Sequence, residues 1–277
     1  MSAPRYPFDR FLVPVRPPVE ADRGLTCAAA LARRSGVPIC LLSVGRPVDV
    51  ERIARAIAAT GDPDTPPIEL EAHVAGIGSV AAAITGATEP GTLVCMSSHG
   101  AYGPGRTLAG TITEQVVRSA SDPVLLVGPR VRPVHWWPAG PIVACLDDTD
   151  GRDDATVDVA RHWSRAFGCR LRVAHVDDRG EGAPVPSRVD DDAVLHGRHP
   201  ARAFARLAAT EPVALFVMAP AARVGWGRVL AGSVTASTVS RAAAPVLAVP
   251  PRARADRLAR ARSTGIRRGI ATPPRTV

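Results

Sequence analysis

The strongest constraint on this chain is that it repeats itself. Residues 91–127 (GTLVCMSSHGAYGPGRTLAGTITEQVVRSASDPVLLV) align with residues 213–249 (VALFVMAPAARVGWGRVLAGSVTASTVSRAAAPVLAV) at a constant offset of 122, without a gap. Met96 falls on Met218, Gly110 on Gly232, and Pro123-Val124-Leu125 on Pro245-Val246-Leu247. The beginnings match too: the run 11–15 (FLVPV) is similar to 142–146 (IVACL) at an offset of 131. Two copies of one domain follow, each about 110–120 residues and large enough to bury its own core. The expected boundaries are 1–128 for the first domain, 129–140 for a linker, 141–250 for the second domain and 251–277 for a tail.

Within each copy, short apolar runs alternate with Ala-rich segments of helical character. In the first copy the runs predict strands at 10–15, 38–44, 67–74, 92–96 and 124–127, with helices near 19–35, 48–60, 78–88 and 111–120. The second copy predicts strands near 141–146, 170–176, 193–196, 213–218 and 245–249. Strands apolar on both faces and separated by helices form a buried parallel sheet with right-handed crossovers. Residues 177–192 (DDRGEGAPVPSRVDDD) are too polar and too rich in Gly and Pro for the second helix of a copy, and read as a loop. Trp136 and Trp137 in the linker read as rim packing.

Charge excludes one class of function. All 34 basic residues are Arg, and the chain has no Lys. The formal net charge is +8, but residues 251–277 hold eight Arg and one Asp, so the preceding 250 residues are nearly neutral. The folded part is not a basic nucleic-acid-binding body, and the tail reads as a solvated, disordered segment. Five scattered cysteines without a CxxC pair read as buried apolar residues in a reducing compartment, neither a disulfide framework nor a metal site. The seven histidines lack ligand spacing. No apolar run reaches the ~18 residues of a membrane span, and the first residues lack the apolar core of a secretory signal. A cytoplasmic location is the expectation.

The segment that carries chemistry is Ser97-Ser98-His99-Gly100, followed nine residues later by Gly110-Thr111. It leaves an apolar strand and opens a helix. Glycine lets backbone approach a ligand closely, and a helix N-terminus offers free N–H groups and a positive dipole end to an anion. Thr111-x-x-Glu114 also fits a capping box, so Thr111 serves as cap, anion ligand or both. Asp148-x-Asp150-Gly151 lacks the rest of a calcium loop and reads as a polar turn.

This layout resembles the universal stress protein family, whose hallmark is G-x2-G-x9-G-[ST] between the fourth strand and the last helix, followed by a Pro-Val-Leu-x-Val strand. The resemblance spans residues 8–250 and points to the tandem, two-domain type. It implies an α/β fold of two Rossmann-like domains. Each would be a five-stranded parallel sheet, order 3-2-1-4-5, flanked by helices, and the two would pair through their last strands. It also implies ATP or another adenine nucleotide, with Mg as counter-ion, at the switch point of the sheet. In such members the triphosphate lies on the glycine loop. The base lies near an Asp ending the first strand and an apolar residue ending the second.

Carried over residue by residue, neither copy is complete. In the first, Gly100, Gly110 and Thr111 match, Ser97 replaces the first glycine, and Ser98 and Thr113 add hydroxyls. Val44 takes the apolar position beside the base, but the Asp position holds Arg16, which cannot accept a hydrogen bond. The second copy reverses the defects. Asp147, Val176, Gly232, Ser233 and Thr235 match, while Ala219-Pro220-Ala221-Ala222 replaces the glycine loop. Pro220 has no N–H to offer a phosphate, and a left-handed Ala222 would cost about 1–2 kcal/mol. The first copy is the better phosphate site and the second the better base site.

The resemblance thus implies a stress-response regulatory protein, not an enzyme, with unidentified protein partners and an internal domain pair. A homodimer of the whole chain stays open. So do a nucleotide-free scaffold whose degenerate loops are plain turns, a slow ATP hydrolase using Asp147, and a nucleic-acid contact through the tail.

Overall fold

A computed structural model describes residues 6–16, 22–59, 68–76, 78–98, 112–132, 140–146, 154–177, 192–196, 199–220 and 234–250. The first half runs β1 (Arg10–Pro14), α1 (Arg23–Ser35), β2 (Ile39–Val44), α2 (Val50–Ala59), β3 (Leu70–Ala75), α3 (Val80–Gly86), β4 (Thr92–Ser97), α4 (Ile112–Ser119) and β5 (Val124–Val127). The second runs β6 (Ile142–Leu146), α5 (Asp154–Phe167), β7 (Leu171–Asp177), β8 (Asp192–His196), α6 (Pro200–Thr210), β9 (Leu215–Met218), α7 (Val234–Arg241) and β10 (Val246–Ala248). The loop expected over 177–192 lies almost wholly outside the described residues, as do the linker tryptophans and the tail.

Local chemistry sets the helix ends. Asp22 caps α1 by accepting the Leu25 N–H at 2.9 Å, Arg33 and Arg34 occupy its last turn, and Gly36 ends it in a left-handed conformation. Ser79 caps α3 through the Ala82 N–H, and Pro200 opens α6, where its missing N–H is harmless.

The strands line up as β3-β2-β1-β4-β5-β10-β9-β6-β7-β8. Each half therefore has the expected order, third-second-first-fourth-fifth, with parallel neighbours. The halves do not form two separate sheets. β5 pairs antiparallel with β10, Leu125 opposite Leu247, and the ten strands make one continuous sheet. Alternate strand residues face opposite sides. On one side Phe11, Val13, Leu31, Ile57, Val159 and Trp163 pack beneath α1, α2 and α5. On the other, Leu12, Ile84, Val117, Phe204, Leu207 and Val239 pack beneath α3, α4, α6 and α7.

Three further contacts close the seam. An aromatic cluster crosses it: Tyr6 lies 5.1 Å from Phe167 and Phe8 lies 5.4 Å from Trp163, centroid to centroid. Arg34 donates to the Phe167 carbonyl at 3.2 Å. Gly128, just after β5, lies so close to the Val239 carbonyl of α7 that a Cβ there would collide with it. Only glycine lets the two backbones come this near. Among the described residues, no helix is long and apolar enough to cross a membrane.

Candidate functional site

In each half the strand order reverses between the first and fourth strands. There the crossover helices leave to opposite faces, and sheets of this kind take ligands at the C-terminal edge beside such a point. In the first half this is the end of β1 and β4. Ser97 ends β4 and is engaged by α1. Its Oγ donates to Asp22 Oδ1 at 2.7 Å and accepts from the Gly24 N–H at 2.8 Å. Asp22 Oδ1 also accepts from Leu25, so one carboxylate oxygen joins the helix cap to the strand end. The close approach depends on Gly24, where a Cβ would sit 2.8 Å from Ser97 N and 3.0 Å from the Met96 carbonyl carbon.

Ser98 is different. Its N–H donates to the Val127 carbonyl at 2.8 Å, which fixes the backbone against the end of β5. Its side chain is 3% exposed, and Oγ has no hydrogen-bond partner. A buried hydroxyl left unpaired costs about 1–3 kcal/mol, so it marks a place for a polar ligand or water. Thr113 is buried in the first turn of α4. Beside it Glu114, 2% exposed, pairs with Arg118 at 2.9 Å. The carboxylate suits the positive end of the helix, and Arg118 offsets its charge. Val44 lies half-buried at the end of β2, and Arg16 is exposed just beyond β1. Gly100, Gly110 and Thr111 lie outside the described residues.

The second half is poorer in hydroxyls. Ala219 and Pro220 follow β9 where Ser97 and Ser98 stand in the first half. A latch like that of Ser97 cannot form from alanine. Val176 is half-buried in β7, and Thr235 is buried in the first turn of α7. Asp147, Gly232 and Ser233 lie outside the described residues. Thr156, fully buried near the start of α5, carries an Oγ1 without a hydrogen-bond partner, as does His175 at Nδ1.

Sequence reasoning therefore placed Ser97, Ser98 and Thr113 at one edge but missed Asp22, Gly24 and the Glu114–Arg118 pair. The available signal was Asp22 directly before an amphipathic run, a common cap pattern. Three of the thiols are shielded by the core. Burial pushes Cys27, Cys95 and Cys145 up from the ordinary value, which leaves them as neutral packing groups. Among the described residues, no group of His, Cys, Asp and Glu could hold a metal ion.

Parallel half-sheets of this order, with polar groups at the switch point, define a doubly wound α/β protein. The family model for the universal stress protein family matches residues 7–128 and 183–250, and the chain belongs to that family. The match omits β6, α5 and β7, which nevertheless complete the second half-sheet. Among solved structures, a universal stress protein from Archaeoglobus fulgidus DSM 4304 is similar at TM-score 0.64 and 18% identity, over 88% of this chain and 97% of that one. A protein of unknown function from Pseudomonas aeruginosa PAO1 is similar at TM-score 0.62 and 18% identity, over 93% and 98%. At this identity the likeness concerns the fold. No curated protein matches the sequence.

Proposed function

We propose that this chain is a regulatory member of its family that binds an adenine nucleotide, ATP with Mg²⁺ as counter-ion, at the C-terminal edge of its first half. The observation that carries the reading is Ser98: a buried hydroxyl with no partner, at the switch point, directly before the glycine-bearing segment 99–111. In this reading phosphate oxygens take hydrogen bonds from Ser98 and Thr113 and from the segment around Gly100, Gly110 and Thr111. Val44 lies against the base.

Binding without turnover is the better supported chemistry. Hydrolysis needs a positioned base. In this half Arg16 replaces the first-strand Asp and offers no carboxylate, and Asp22 is held by Ser97 and by the helix cap. The second half, with Ala219 and Pro220 at the loop, is the weaker phosphate site and keeps a structural role. A ligand on Ser98 would act on the seam through one hydrogen bond, from the Ser98 N–H to Val127 at the end of β5. A nucleotide that favours one arrangement of that edge would thereby shift the population that partners meet.

The test is an equilibrium titration of the full chain with Mg-ATP, after assay for nucleotide carried through purification. Saturable binding, weakened about tenfold or more by Gly110→Trp and kept by Ala222→Trp, is expected. Absence of saturation up to millimolar nucleotide, with none carried through purification, refutes the reading.

A further inference from the structure

A charged feature lies at the seam, on segments that adjoin the Ser97–Ser98 edge through Gly24 and Val127, but lined by neither serine. A groove of about 760 Å³ runs between the start of α1, the turn after β5, and the ends of α6 and α7. Its lining includes Arg23, Arg130 and Arg132, and no lining residue is acidic among those described. All three guanidinium side chains are exposed, and none is hydrogen-bonded or ion-paired with another described residue. Other exposed arginines, such as Arg46 and Arg165, are also unpaired among the described residues; what sets these three apart is that they line one groove without a described carboxylate.

The backbone that carries the arginines is held in place. Val131, between Arg130 and Arg132, is 2% exposed and packs into the core beneath α1 and α5. Its N–H donates back to the Gly128 carbonyl at 3.3 Å, closing the turn after β5. The buried valine thus anchors two flanking arginines at the groove wall. Arg23 arrives from the first turn of α1, whose start is fixed by the Asp22–Ser97 latch. Val213, Ala214 and Ala244 give the remaining lining an apolar character. Cations of one sign gathered along a groove with an apolar lining raise the local concentration of anions above that over open surface.

We infer that this groove is an anion site for a compact, multiply charged phosphate compound, a polyphosphate or a phosphate ester. The volume falls in the range of small-molecule sites, about 300–1,000 Å³. Three guanidinium forks from two chain segments match the oxygens of linked phosphates, each able to bind in bidentate fashion. An acidic peptide spreads its carboxylates at about 3.3 Å per residue along an extended chain, whereas linked phosphates carry several charges in a compact group that a groove of this size takes in whole. The inference does not depend on nucleotide at Ser98.

The test uses inorganic tripolyphosphate titrated calorimetrically into the full chain, the Arg130→Ala/Arg132→Ala variant and Gly110→Trp. All three retain the Arg-rich tail, so attraction by the tail is common to them. One saturable equivalent is expected in Gly110→Trp, where the Ser98 edge is blocked; the unaltered chain binds at least that equivalent, and the double arginine substitution weakens it about tenfold or more. Both arginines are exposed, so the thermal melting of the double variant stays unchanged. Binding indifferent to the arginine pair places the anion on the tail or the loop and overturns the inference, as does absence of saturable binding. Poly-glutamate binding as tightly, with the same arginine dependence, overturns the phosphate class.

Discussion

In the first half Ser97 and Ser98 stand at the end of the fourth strand, and in the second Ala219 and Pro220 stand at the end of its equivalent. Beneath these ends the two half-sheets agree in strand order, parallel pairing and burial. A second contrast lies on the helices that follow the first strands. At the offset of 131, Gly24 corresponds to Ala155 and Ala32 to Trp163. The first half keeps its helix small so that α1 closes on β4. The second puts a large aromatic at the same level and sends it across the seam to Phe8. Core alternation fixes the fold in both halves, while strand ends and helix faces vary without disturbing it.

The largest expected effect breaks the aromatic contrast. Trp163→Ala empties a fully buried site and lowers stability by about 3–5 kcal/mol. Phe8 comes from the other half, so urea unfolding is expected to stay a single transition shifted to lower denaturant. Two separated transitions would mean that the halves unfold independently and that the seam couples them weakly.

Gly24→Ala is expected to lift α1 from β4 and cost about 1–3 kcal/mol, read as a lower Tm. The reciprocal Ala155→Gly costs only about 0.5–1 kcal/mol, from backbone entropy. Equal losses would show that the two helices approach their sheets alike. Ser97→Ala, which copies the second half into the first, removes the bonds to Asp22 and from Gly24 and costs about 1–2 kcal/mol. Ser98→Ala removes an unpaired hydroxyl and leaves stability unchanged or slightly raised, while weakening any Mg-ATP binding. A clear loss of stability in that variant would mean that the hydroxyl already has a partner.

The smallest effect is alkaline. Cys27, Cys95 and Cys145 have thiols raised above 9.0 by burial. A raised folded pKa stabilises fully below the unfolded value, and the stabilisation falls as pH rises past it. Stability therefore declines above about pH 9. The first half holds two of these thiols and the second one, so Cys27→Ala/Cys95→Ala flattens this limb more than Cys145→Ala does.

The strands were legible because each is a short apolar run between breakers, and the observed bounds of β2, β4 and β5 lie within a residue of those read from the sequence. The strand order was implied by resemblance, since parallel pairing joins residues far apart in the chain. The candidate site was legible as a set of residue types but not as a set of bonds. Alignment with a glycine position assigned Ser97 to a ligand. The structure ties it to Asp22, 75 residues away, a pairing that no local pattern carries. The same distance hid the three seam arginines, which look like ordinary members of an Arg-only basic set until α1 and the β5 turn bring them together. Gly100, Gly110, Thr111, Asp147, Gly232 and Ser233 fall outside the described residues, so their part of the reading rests on sequence.

The antiparallel pairing of β5 with β10 has a further consequence. An isologous dimer presents the same patch twice, and every substitution appears on both sides of its axis. Here both partners belong to one chain. Their effective concentration, on the order of millimolar or above for a short connection, does not change when the protein is diluted. A substitution also enters the assembly once rather than twice. One strand end can lose its serines to alanine and proline while the other keeps them, and the asymmetry becomes heritable in a single gene.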